Sequence, residues 1–166
     1  MVVNFQKLEG MLKSLASAPN YSGSLEQIQL QRVKHIEALR KKSLGMVVAE
    51  FFEKVYVGDG SERAVTDPLD YELTFTINME GREELKSLLE SIVLERNDLV
   101  HTRLLSFDQN STESCADLER FLDEQYERVL PVFERTKFLF EVMKEARVAL
   151  AETLSAEIIE NGRTDV

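Results

Sequence analysis

SCADLERFLDEQYERVLPVFERTKFLFEVMKEARVALAETLSAEII, residues 114–159, holds no glycine and one proline and is the longest helical element that the sequence offers. Leu118, Leu122, Val129, Val132, Phe140, Met143, Leu150 and Leu154 recur near heptad spacing. That spacing predicts one extended helix with an apolar seam, packed along a helical bundle or along a twin subunit. At about 1.5 Å per residue, such a helix outruns a small bundle. Pro131 predicts a kink, because a mid-helix proline removes a backbone donor and crowds the preceding turn.

Moving toward the N-terminus, the polar loop Asp108-Gln109-Asn110-Ser111-Thr112 precedes this element. Before it, Leu85, Leu88, Leu89, Ile92, Val93, Leu99, Val100 and Leu104 give helical spacing from Arg82 to Leu105. Between Tyr71 and Met79 the period changes to two, with Leu73, Phe75 and Ile77 alternating against Thr74, Thr76 and Asn78. This predicts a half-buried strand whose nearby partner is Ala64 to Thr66, so an extended element over 64–79 forms a small hairpin or an edge strand. The polar stretch from Gly58 to Pro68 reads as a loop. Further back, Met46 to Tyr56 is strongly apolar, and Ser24 with Gln27 has the form of a capping box opening a helix that ends at Arg40-Lys41-Lys42. Phe5 to Ser17 is a first helix, stopped by Ala18-Pro19-Asn20.

Composition agrees with a mainly α fold. A chain of 166 residues suits one domain spanning 1–166. Hydrophobic residues at 43% and charged residues at 30% are enough for a buried core, and seven glycines with three prolines are too few for a loop-rich β sandwich. The net charge is −10 and argues against a protein whose main business is gripping a long nucleic-acid backbone, which needs a basic surface, so DNA is not expected as a partner. The charge is uneven: residues 1 to 63 balance at +2, so residues 64 to 166 carry −12. One cysteine, Cys115, and two histidines, His35 and His101, exclude a disulfide framework and give no zinc-ligand pattern. Neither a metal nor another cofactor is expected. Without an apolar run of about 20 residues or a basic-then-apolar start, a cytoplasmic protein with no membrane span is expected.

One segment has the residue types of a chemical site. Glu95-Arg96-Asn97-Asp98-Leu99-Val100-His101 places Asn and Asp within a helix, where both have low propensity away from the caps. Arg96-Asn97 followed by His101, the pattern Arg-Asn-x-x-x-His on a helix of a helical protein, resembles the hallmark of HEPN domains. The resemblance rests on positions 96 to 101 and the helical frame from Gly81 through Phe107. It implies a HEPN-like bundle that pairs as a homodimer. It further implies either a metal-independent endoribonuclease or an RNA-associated regulatory domain. Such domains occur in toxin–antitoxin, defence and RNA-processing systems, so an antitoxin or a regulator is an implied protein partner. The alternative is a noncatalytic helical interaction scaffold whose acidic long helix binds a protein.

The chemistry suits the residues. Attack of an RNA 2′-hydroxyl on the adjacent phosphorus needs a base, and histidine accepts a proton near neutral pH, which makes His101 the candidate. Arg96 offers planar paired donors to the charge that builds on phosphoryl oxygens. Asn97 lies four residues before His101 and shares its helical face, placed to orient the imidazole or bind phosphate. Asp98 is placed to hold Arg96. One difficulty remains: Arg96 and His101 are five residues apart, about 500° around an ideal helix, so they point about 140° apart. Arg96 curls back, a local distortion intervenes, or the site is composite across a two-fold axis. The bland alternative leaves Arg96 paired with Glu95 or another acid and His101 as a satisfied interhelical residue. Arg103, and the cluster Arg40, Lys41 and Lys42, are the candidate RNA contacts, although that cluster also suits a solvated helix end favoured by the dipole.

Overall fold

The computed structural model describes residues 2–18, 21–55, 71–73, 75, 77 and 80–164. The chain is mainly α. Its elements run α1 (Val2–Ala16), β1 (Tyr21–Gly23), α2 (Leu25–Arg40), α3 (Leu44–Lys54), β2 (Tyr71–Leu73) and α4 (Arg82–Asp98). A π-helical turn (Leu99–Arg103), α5 (Leu104–Ser106) and α6 (Thr112–Thr164) complete the order.

Each boundary has a local cause. Ser24 caps α2: its hydroxyl accepts from the Gln27 backbone N–H, and the Gln27 side chain accepts from the Ser24 N–H at 3.1 Å. Gly81 precedes α4 in the left-handed region at φ 77°, which a side chain rarely adopts. A Cβ there would also lie 3.0 Å from the Arg135 guanidinium, which reaches across from α6 to donate to the Glu80 carbonyl at 3.1 Å. Helix start and helix docking are therefore fixed at one residue.

The core is a single cluster. Leu8, Leu12 and Leu15 of α1 are fully enclosed and meet Val47, Val48 and Phe51 of α3, Leu85, Leu89 and Ile92 of α4, and the seam of α6. That seam is Gln125, Val129, Val132, Thr136, Leu139 and Met143, a strict alternation of four and three residues. Of the seam expected from the sequence, Val129, Val132 and Met143 are buried and Leu118, Leu122 and Phe140 pack half-buried against the core; Leu139 lies deeper than Phe140, and the polar Gln125 and Thr136 occupy seam positions. Thr136 returns its hydroxyl to the Val132 carbonyl at 2.8 Å, so its polar atom is satisfied within the helix. Beyond Met143 the seam ends, with Val148 and Leu150 exposed and the Leu154 side chain outside the described residues. At about 1.5 Å per residue, the 53 residues of α6 span about 80 Å, and they run through Pro131 as one helix. Pro131 is exposed, so its missing donor faces water rather than the core.

The extended element finds a partner at the start of the chain. Tyr71–Leu73 pairs antiparallel with Tyr21–Gly23, Tyr21 opposite Leu73, forming a two-stranded ladder. The expected partner, Ala64 to Thr66, lies outside the described residues, as do Thr74, Thr76 and Met79. After the ladder, Ile77 donates its N–H to the Val55 carbonyl at 3.0 Å, and Phe75 and Ile77 pack half-buried against the core. Leu73, Phe75 and Ile77 are thus all half-buried, and among the described residues Tyr71, Glu72 and Leu73 are the ones of this stretch that join a ladder.

A polar network ties the N-terminal half together. Glu50 on α3 is buried, at 5% exposure, and accepts from Lys42 at 2.5 Å, Lys54 at 2.5 Å and His35 Nε2 at 3.1 Å. The Tyr21 hydroxyl donates to the Ser17 carbonyl at 2.8 Å and lies 3.0 Å from His35 Nδ1. Strand, α2 and α3 thus meet at one carboxylate. Burial raises the Glu50 pKa, but hydrogen bonds from Lys42, Lys54 and His35 outweigh it and hold the carboxyl down at about 2.

Two stability predictions come from these interior polar groups. Gln125 is fully enclosed and neither amide atom has a partner among the described residues, so Gln125→Met, of similar volume, raises unfolding free energy by about 1–2 kcal/mol in urea titration. A loss of stability would show that the amide is satisfied in solution. Glu50→Gln costs about 2 kcal/mol at pH 7. Because the folded pKa lies below the unfolded value of 4.5, this contribution is complete above pH 4.5 and is lost as pH falls toward 2. The difference between wild type and variant, followed by thermal melts, therefore narrows over that window.

Candidate active site on the fourth helix

Arg96, Asn97 and Asp98 close α4, and His101 and Arg103 lie on the π turn that follows. In that turn the Leu104 N–H reaches back five residues to the Leu99 carbonyl. A π turn accommodates an extra residue, so side chains five apart lie closer in direction than on an ideal α-helix. Of the three ways of reconciling Arg96 with His101, a local distortion is therefore present within the motif itself. Leu99, at 1% exposure, anchors the turn in the core.

The anchored turn presents its polar residues outward. His101 is exposed and forms no hydrogen bond or ion pair among the described residues, so it is not a satisfied interhelical histidine. Arg96 is half-buried and donates to Asn97 Oδ1 at 3.2 Å, which leaves the Asn97 amide N–H₂ available as a donor. Arg96 is not paired with Glu95: that carboxylate accepts from Arg128 of α6 at 2.7 Å. Asp98 does not hold Arg96 either, and instead accepts from Arg103 Nε at 2.8 Å. The Arg103 guanidinium also stands 3.7 Å from the centroid of the Phe121 ring, a cation–π contact with α6.

The motif segment is thus held to α6 at two places, Glu95 on Arg128 and Arg103 on Phe121, with buried Gln125 between them along the helix. These supports were not read from the sequence. The residues of α6 that make them stand 33 and 18 positions away, in an acidic helix with no signal of its own. Beside Arg103 a shallow polar depression of about 350 Å³ is bordered by Ser106, Ser114, Glu113 and Asp117, whose two carboxylates oppose an anionic occupant.

The second basic group has other engagements. Lys42 is committed to Glu50, while Arg40 and Lys41 remain exposed at the end of α2, where the Arg40 carbonyl accepts from Lys13. No hydrogen bond or ion pair joins this cluster to the motif among the described residues. Within those residues, no group of three or more His, Cys, Asp or Glu side chains is placed to hold a metal ion. Cys115 is exposed in the first turn of α6.

The chain matches no protein-family model, no curated protein and no solved structure. The segment offers the exposed imidazole of His101 beyond the half-buried guanidinium of Arg96 and amide of Asn97, flanked in sequence by the apolar side chains of Leu94 and Leu105, 70% and 79% exposed. No helix among the described residues is long and apolar enough to cross a membrane.

The support of the turn is unequal between its apolar and polar sides. Leu99→Ala costs about 2–5 kcal/mol because it empties an enclosed position. Asp98→Ala costs under about 1 kcal/mol, since the Arg103 pair is 44% exposed on both sides. Chemical denaturation of the two variants checks the order, and equal losses would show that the ion pair, not the leucine, holds the turn.

Proposed function

We propose that the protein is a metal-independent endoribonuclease of the HEPN type, acting as a homodimer in the cytoplasm, with His101 as general base and Arg96 as the group that stabilises phosphoryl charge. The observation that carries this reading is the π turn at Leu99–Arg103, which interrupts the helix at the motif and leaves His101 exposed, one turn after Arg96 and Asn97. Helical distortions of this kind occur frequently at functional sites.

In the reaction, a ring nitrogen of His101 takes the proton of an RNA 2′-hydroxyl. The 2′-oxygen attacks the adjacent phosphorus, the bond from phosphorus to the 5′-oxygen breaks, and that oxygen leaves with a proton taken from water. Arg96 and the Asn97 amide donate to the non-bridging oxygens, where charge accumulates. Exposed Leu94 and Leu105 beside the motif supply an apolar surface for a two-fold pairing that sets the two copies of the site together.

The acid balance limits how RNA is held. With a net charge of −10, binding is confined to the few positive groups, Arg96 first, with Arg103, Arg40 and Lys41 as auxiliaries. Arg103 contributes only where its pairing with Asp98 opens, and Lys42 only where Glu50 releases it.

A second reading is favoured by the exposed apolar residues Phe138, Val142, Val148 and Leu150 on acidic α6. On this reading the chain is a noncatalytic RNA-associated regulator or scaffold that docks a protein such as an antitoxin, and the motif serves only the dimer.

The two readings separate experimentally. On the first, light scattering gives twice the monomer mass of 19.0 kDa, and RNA is cleaved in EDTA to a 2′,3′-cyclic phosphate. His101→Ala and Arg96→Ala each lower the rate by about 10² to 10⁴ without dissociating the dimer. Cleavage that needs a divalent metal and leaves a 3′-hydroxyl would refute the mechanism, and no cleavage by a folded dimer would leave the scaffold reading.

A further inference from the structure

A cleft of about 650 Å³ lies far along the chain from the motif residues, between the start of α2, the β1–β2 ladder and α6 just past the end of its buried seam. Its volume falls in the range of small-ligand sites. Ile28 of α2, Phe75 and Leu150 of α6 line it with apolar surface, and Tyr21 closes one side.

Among the described residues two charged groups line the same cleft, and both are cations. Arg32 comes from α2 and Arg147 from α6. Arg147 is half-buried, while Lys144, Glu145, Ala146, Val148, Ala149 and Leu150 around it on the helix are all exposed. Among the described residues neither guanidinium forms an ion pair or a hydrogen bond. This is unusual in a chain with 30 acidic residues against 20 basic ones, most of whose other arginines find a carboxylate. Burial lowers the Arg147 pKa, and the like charge of Arg32 lowers it further. The nearby carboxylate of Glu50 is already engaged by Lys42, Lys54 and His35, so it does not neutralise the pair.

We infer that this cleft binds an anionic amphiphile, a carboxylate or phosphate head held between Arg32 and Arg147 with an aliphatic body against Ile28, Phe75 and Leu150. Two guanidinium forks suit the planar or tetrahedral oxygens of such a head, and their mutual repulsion without a ligand is relieved when the anion enters. The apolar walls then supply affinity by burial, which a free inorganic anion cannot use. This inference does not depend on the ribonuclease reading, because none of its residues belongs to the motif.

Calorimetry of the full chain with decanoate, decyl phosphate, decanol and inorganic phosphate tests it. Decanoate or decyl phosphate binds at least about tenfold more tightly than decanol or inorganic phosphate, and the preferred head distinguishes a carboxylate from a phosphate ligand. Arg32→Gln and Arg147→Gln each weaken that anion by about tenfold or more and leave decanol unchanged. Arg147→Gln also raises Tm in the absence of ligand, because a repulsive pair is removed, so a failure to fold is not confused with a failure to bind. Ala146→Trp, which fills the cleft from an exposed position, abolishes binding of all the amphiphiles. Equal binding of decanol and decanoate, no binding of either anion at about 1 mM, or full affinity in both glutamine variants would each overturn the proposal. A dimer that dissociates in Arg147→Glu, with no anion bound by wild type, would assign the face to a second copy of the chain and would overturn it as well.

Discussion

One face of α6 is buried against α1 and α4, and the hydrophobic core is built around it. From Gln125 to Met143 this helix is held by a four-three seam, and every feature of functional interest is placed relative to that stretch. At its N-terminal side, Phe121 and Arg128 hold the segment that contains Arg96 and His101. In the middle, Arg135 fixes the left-handed residue that starts α4. Just beyond its last buried residue, Arg147 turns toward α2 and the short ladder. A helix that is rigid over the length of the bundle thus sets the spacing of two separate surfaces.

Charge is distributed by the same logic. The interior tolerates a carboxylate at Glu50 only because three donors converge on it, and that arrangement occupies Lys42 and Lys54, which the sequence presents as free basic residues. The acidic outer faces of α6 remain solvated, so the positive groups that are not neutralised stand out. Among the described residues they include Arg96, whose hydrogen-bond partner is an amide, the exposed Arg40 and Lys41, and Arg32 and Arg147, which have no hydrogen-bond or ion-pair partner. Both proposals rest on such guanidinium groups in a chain of net charge −10, the one assigning a phosphodiester to Arg96 and the other a small amphiphile to Arg32 and Arg147.

The π turn links packing to chemistry. Leu99 enters the core while His101, two residues on, is in solvent, and the widened turn adjusts the direction in which the motif side chains leave the helix. An uninterrupted α-helix would hold Arg96 and His101 about 140° apart. The distortion reduces that separation without breaking the helix into two independent pieces, so the site is supported by the core on one side and open on the other.

The helical fold was legible in the sequence because apolar periodicity follows directly from the geometry of a helix with one buried face. The lengths of α1, α2 and α6 and the Ser24 capping box are local matters of that kind. The motif was equally legible as a set of residue types, Arg96, Asn97, Asp98 and His101. The partner of β2 was not, since Tyr21-Ser22-Gly23 is three residues long, shows no alternation worth the name and lies fifty positions away. Nor were the acid that takes Arg103, the three donors that converge on Glu50, the register by which Leu139 lies deeper than Phe140 in the seam, or the meeting of Arg32 with Arg147. These depend on which helix crosses which and at what height, and a one-dimensional pattern of polar and apolar residues fixes the faces of helices without fixing their crossings.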